Sequence, residues 1–176
     1  MRKTRESCSR RSIRFRGHEY RHHRMSEELG SEELADNGTG ERASVETVTQ
    51  ALGKVLASGM LHRIPRHPEH RNILLALLCL DLRRRYPYPE VEINRYLMAA
   101  LETVRARVDH VTCRRYLVDL GFLRRDRAGI RYFLNFPKVE SVLSDEAMTR
   151  APDLVARAVA QGARRHKPRR GKSPRS

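Results

Sequence analysis

Apolar residues begin to recur at helical spacing just after Ser44. Val45, Val48, Leu52, Val55 and Leu56 share one face, Ser44 offers a hydroxyl for the free amides of the first turn, and Gly59 supplies a stop. Leu61-His62-Arg63-Ile64-Pro65 reads as a connector. A second helix enters at Pro68, where a missing N–H costs nothing, and is predicted to run to about Arg84. Ile73, Leu74, Leu77, Leu78 and Leu80 make it apolar nearly all round, the mark of a central core helix. Tyr86-Pro87-Tyr88-Pro89 forbids helix and stiffens a turn. A third helix is predicted from Pro89 to about Val104, with Ile93, Leu97, Ala100, Leu101 and Val104 inward.

After a connector at Arg105–Val108, Asp109 caps a helix over 110–120. On a helical wheel Cys113, Tyr116, Leu117 and Leu120 form its main apolar face, and Val111 and Val118 a smaller one. Two short strands, Leu123–Arg125 and Ile130–Leu134, follow, joined through Asp126-Arg127-Ala128-Gly129. Asn135-Phe136-Pro137 closes this unit, and a last helix is expected from Pro152 to about Ala163. The predicted fold is mainly α with a small β-hairpin: a winged helix-turn-helix-like core over 60–137, a leading helix within 43–59 and a trailing helical segment over 138–163. Residues 1–42 lack apolar periodicity and, like 164–176, read as disordered basic tails.

Charge sharpens this division. The chain carries a net +15. Residues 1–24 hold nine Lys/Arg against two acids and 148–176 hold nine against one, whereas 60–147 hold sixteen against eleven. The ends therefore favour polyanions through counterion release, while the middle is nearly balanced. Met25 opens an acidic segment unlike what precedes it, consistent with translation starting there and residues 1–24 being an upstream extension. Cys8, Cys79 and Cys113 show neither a disulfide framework nor zinc spacing, which fits a reducing cytoplasm. The longest apolar run, Ile73–Leu80, is well short of the roughly 20 residues of a membrane span.

The helix and hairpin carry the chemistry. Thr112 and Arg115 occupy the open sector of the helix and are the candidates to face bases or phosphates in a groove. Arg114 points between the two apolar faces, so it is read as structural and paired with Glu90 in the first turn of the preceding helix, with Glu92 as the competing partner. A four-residue hairpin loop would set Leu123 against Tyr132 over the core, and Arg124 against Arg131 on the outer face. Like charges facing each other destabilise a strand pair unless an anion lies between them. Arg127 at the tip is the expected minor-groove or phosphate contact.

Once laid out, these residues resemble a bacterial family, the domain-of-unknown-function family numbered twenty eighty-seven. Ile64-Pro65 matches its Ile-Pro, and Tyr88-Pro89-Glu90-Val91-Glu92-Ile93-Asn94 its Tyr-x-Glu-x-Glu-Val-Asn element. Asp109, Thr112, Arg114, Arg115, Leu117, Val118, Asp119, Gly121, Leu123, Arg125, Gly129 and Tyr132 match the closing pattern. The connector between Leu97 and Asp109 looks about one helical turn longer than usual, and Pro89 stands where a side-chain cap is usual. The resemblance implies a winged-helix-like domain, in some members fused behind a regulator-type helix-turn-helix domain, and supplies no catalytic residues.

Other chemistry has little support. His62, His67 and His70 gather near the second helix, which carries Cys79, but the intervening prolines set no ligand geometry, so no metal is expected. Cap and ion-pair roles account for Glu90, Glu92 and Asp109 without acid–base catalysis, and no glycine-rich phosphate loop or nucleophile–histidine–acid set is present. The expectation is a cytoplasmic, non-enzymatic protein without cofactor or small-molecule substrate that binds double-stranded DNA as a transcription regulator. The alternatives are a protein-interaction module on the same fold and an RNA- or ribosome-associated protein. Low aromatic content argues against base-stacking platforms for single strands. The trailing helix, with Leu154, Val155, Ala158 and Val159, packs on the core or supports a homodimer, and packing is the favoured use.

Overall fold

The computed structural model describes residues 42–166. The head through residue 41 and the tail from residue 167 lie outside the described residues, and with them the disorder expected there and the question of Met25. Six helices and a small antiparallel sheet make a mainly helical fold: α1 (Val45–Val55), α2 (Pro68–Cys79), β1 (Tyr88–Pro89), α3 (Glu90–Thr103), α4 (His110–Asp119), β2 (Leu123–Arg125), β3 (Arg131–Leu134), α5 (Phe136–Val142) and α6 (Asp145–Arg165).

The hydroxyl of Ser44 accepts the Thr47 N–H at 3.3 Å and starts α1. α2 stops at Cys79, earlier than its apolar pattern suggests. The Arg83 N–H is taken by the Tyr88 hydroxyl at 2.7 Å, which removes it from the helical ladder, and Pro87 keeps Tyr86 out of helical conformation. Tyr88 and Pro89 then do more than turn the chain. They add a third strand, giving the order β1-β3-β2, with Tyr88 opposite Tyr132 and Pro89 opposite Arg131. Pro89 is tolerated because β1 is an edge strand and needs no donor on its outer side.

The end of the chain departs most from the pattern. Asn135-Phe136-Pro137 opens α5 instead of closing the regular structure, and Arg84 ties α5 to the turn after α2, lying 3.1 Å from the Phe136 ring centroid and 3.9 Å from Glu140. α6 begins seven residues before the expected start at Pro152. Ser144 caps it by accepting the Ala147 N–H, and Asp145 and Glu146 complement the helix dipole. Pro152 lies inside that helix, on its exposed side, where it removes one backbone bond.

One core joins all of these elements. Val48, Leu52 and Leu56 of α1 and Leu154, Ala158 and Val159 of α6 belong to the same buried cluster as Leu74, Leu97, Leu117 and Tyr132. A bridge between Ala43 and Leu143 fastens the start of the described chain to the segment before α6. The leading and trailing helices are thus part of the domain core. Where α1 and α6 meet, Gly59 and Gly162 allow backbone contact. A Cβ on Gly162 would collide with the Leu56 carbonyl oxygen and the Gly59 amide.

Gly162→Ala is therefore expected to lower stability by roughly 1–3 kcal/mol or more, because backbone and not a flexible side chain must move. Pro152→Ala should raise it, by up to about 3 kcal/mol, through restoring the missing bond. Urea denaturation of both variants checks the pair; a neutral Gly162→Ala would contradict the close crossing.

Candidate nucleic-acid interface

α4 owes its position to a cap and an ion pair. Asp109 Oδ1 accepts the Thr112 N–H at 2.8 Å and Oδ2 accepts the Thr112 hydroxyl at 2.7 Å. The Thr112 N–H, and then its hydroxyl, hold the Asp109 carboxyl below the usual carboxylate range. Thr112, a candidate to face bases, thus spends its one hydroxyl proton inside the protein and can only accept from a ligand.

Arg114 is the structural member of the arginine pair. Its Nη1 lies 3.0 Å from Glu90 Oε1, and it donates to Asn94 Oδ1. Its guanidinium carbon stands 5.4 Å from the ring centroid of Tyr132. One cation therefore links α3, α4 and the hairpin, with its side chain only 13% exposed while Glu90 is 50% exposed. Glu92 is engaged elsewhere, accepting the Tyr86 hydroxyl at 3.2 Å, which raises the Tyr86 pKa. Arg115, one position on, is exposed, as is Tyr116 at 37%. The wheel had placed Tyr116 on the main apolar face. The buried contacts of α4 are made by Cys113 and Leu117, so its inward stripe is narrower than the residue types suggest.

The hairpin register differs from the four-residue expectation. Leu123 pairs with Leu134, Arg124 with Phe133 and Arg125 with Tyr132, a shift of two residues. A shift of two keeps every side chain on its original face, so alternation cannot detect it. Turn chemistry decides it instead. Asp126 Oδ1 accepts the N–H groups of Ile130 at 2.7 Å and Arg131 at 3.2 Å, which lengthens the loop, and these bonds lower the Asp126 pKa. At the other end the Asn135 amide donates to the Gly121 carbonyl at 2.7 Å, and Gly121 itself ends α4 at φ 76°.

Arg124 and Arg131 consequently do not face each other. They remain on the outer face as diagonal neighbours, roughly 7–8 Å apart in sheets of this kind, so their repulsion is milder than direct opposition implies. Arg125, not among the candidates read from the sequence, is exposed but folds back on its own hairpin: Nη2 donates to the Gly129 carbonyl at 2.7 Å, and its guanidinium lies 5.2 Å from the Tyr132 ring centroid. Arg115, Arg124, Arg127 and Arg131 are all exposed, and among the described residues none has a carboxylate within 4.0 Å. Asn94, Asp126 and Tyr132 were missed as organisers. Asp126 carried a signal, since an aspartate at the mouth of a loop readily binds the amides that follow.

Burial raises the pKa of the Cys79 thiol well above its ordinary value and pushes Cys113 up to about 12, so neither is poised as a nucleophile. His67, Glu69 and His70 have ligand atoms within 4.8 Å of one another, far from a closed metal cage in their exposure. Among the described residues, no helix is long and apolar enough to cross a membrane.

A helical domain closed by a small sheet, with arginines sorted between inside and outside, is the class that this geometry defines. Residues 60–134 match the model of the family described as "Uncharacterized protein conserved in bacteria (DUF2087)". No curated protein and no solved structure matches the chain.

A double-mutant cycle on Glu90→Gln and Arg114→Met is expected to give a coupling of about 1–3 kcal/mol. Glu90→Gln alone should be the more damaging in relation to its exposure, because it leaves a mostly buried cation short of its counter-charge. Additive effects would show that the pair holds nothing in place. For Asp109, the lowered folded pKa means that the cap contributes fully above the ordinary aspartate value of about 3.9 and fades as pH falls through the folded value. Asp109→Asn should flatten that part of the acid limb in a urea midpoint series; an unchanged limb would refute it.

Proposed function

We propose that this protein is a non-enzymatic reader of double-stranded DNA, with α4 in the major groove and the β2–β3 hairpin as a basic wing. A cytoplasmic transcription regulator in bacteria is the setting that this reading implies. The observation that carries it is the sorting of arginines: Arg114 is held inside and Arg125, though exposed, is engaged by its own hairpin, while Arg115, Arg124, Arg127 and Arg131 stay exposed and without carboxylate partners among the described residues. The element order supports it too, since helix, strand, two helices and a hairpin follow one another as in a winged helix. Arg115 is the side chain assigned to base or phosphate in the groove, and Arg124, Arg127 and Arg131 to backbone phosphates. Thr112, with its proton committed to Asp109, would accept from a base amino group.

A protein-interaction module is the second reading, favoured by Val91 and Met98. They lie seven residues apart on α3 and are 67% and 48% exposed. A salt series of duplex-DNA affinity separates the two. Arg124→Ala and Arg131→Ala should each weaken binding evenly across sequences and reduce the salt slope by about 1. Arg115→Ala should also relax sequence preference. Removing residues 167–176 tests binding by the tail alone, whereas a cut at 148 would remove most of α6 from the core. Affinity and slope unchanged in the arginine variants, but abolished by the tail deletion, would sink the wing.

A further inference from the structure

A second cationic feature lies away from α4 and the hairpin. A cavity of about 610 Å³ opens between the end of α1, the connector before α2 and the start of α2. Lys54, His62, Arg63, Arg66, His67 and His70 line it, with no carboxylate among its lining residues, and Val55, Ala57 and Pro65 give it apolar wall. Its volume falls in the range of small-molecule sites, roughly 300–1,000 Å³. Lys54, Arg63 and Arg66 have no carboxylate within 4.0 Å among the described residues.

Two further features favour an anion over a cation. His67, at the cap position before α2, makes no side-chain cap bond, and Pro68 brings no N–H, so the amides of the first turn are left to other acceptors. The rings of His67 and His70 lie 4.5 Å apart between centroids and are tilted by 36°, an approach that disfavours charging both rings together without a counter-ion. A metal ion drawn to His67, Glu69 and His70 would meet the field of three fixed positive charges.

We propose that this cavity is a binding site for a small phosphate-bearing ligand, held by Lys54, Arg63 and Arg66 and by His67 and His70 once protonated. Ser58, whose Oγ lies 2.8 Å from His62 Nε2, orients the third imidazole of the cluster. The free site keeps His70 below its ordinary pKa, first through desolvation and then through His67 and Lys54, with Glu69 opposing. His62, Arg63 and Arg66 face the cavity from the connector, and none of them offers negative charge. A phosphate dianion reverses the balance and draws a proton onto His70, so binding passes through a maximum between about pH 6 and about pH 7, below which the phosphate itself is protonated to the monoanion. The site shares no residue with the DNA surface, and its test is independent of that reading.

The experiment is an NMR titration of the full chain, labelled at histidine, with inorganic phosphate across pH 5.5–8.5. The expected result is saturable movement of His67 and His70, with the His70 pKa rising by about one unit, while His110 and His166 stay in place. Lys54→Gln/Arg66→Gln should weaken phosphate binding at least tenfold with the helical circular dichroism retained, and Arg127→Gln should not. Equal movement of every histidine, or no movement, overturns the proposal. So does a response of His67 and His70 to Zn²⁺ or to duplex DNA with none to phosphate.

Discussion

The guanidinium of Arg114 is the constraint on which the α3–α4–hairpin unit depends. A cation with a side chain 13% exposed must have its charge and its donors satisfied, and two different elements supply the means. Glu90 brings counter-charge from the first turn of α3, Asn94 an acceptor one turn later, and Tyr132 the face of an aromatic ring from β3. Because Glu90 and Asn94 are four residues apart on one helix, they present their oxygens on one side of it. α4 can then dock on α3 in only one axial position. Tyr132, almost wholly buried, carries the same constraint into the sheet, where it also receives Arg125 and pairs with Tyr88.

That arrangement explains why neighbouring arginines have different uses. Arg114 and Arg115 are adjacent on α4, yet about 100° of rotation puts one against α3 and the other in solvent. Arg124 and Arg125 are adjacent on β2, and the alternation of a strand sends one outward and the other toward Tyr132. The exposed set is what remains once the inward demands are met. Behind this unit, the glycine contact between α1 and α6 lets two further helices close the core, which makes the described chain one folding unit and not a small domain with appendages.

Much of this is written in local chemistry. Ser44 and Asp109 announce their helices because a short polar side chain before an apolar period has few other uses, and β2 follows from Leu123 entering after a glycine stop. The contact of Glu90 with Arg114 is legible because a wheel leaves Arg114 no solvent-facing direction. What local chemistry conceals depends on tertiary partners. The two-residue register shift is invisible to a period of two. The early end of α2 rests on a hydroxyl five residues further along, and Pro152 resembles a helix start only while the Ser144 cap is overlooked. Asn94 could be recognised as a partner of Arg114 only after the docking of α3 on α4 was known.

The most direct test of the sorted arginines is to follow each guanidinium by its Nη–H resonances while duplex DNA is titrated into the full chain. Arg115, Arg124, Arg127 and Arg131 should shift and slow their exchange with water, whereas Arg114, already held by Glu90 and Asn94, should show protected exchange before DNA is added and little change afterwards. Movement of Arg114 together with silence at the four exposed arginines would contradict the account.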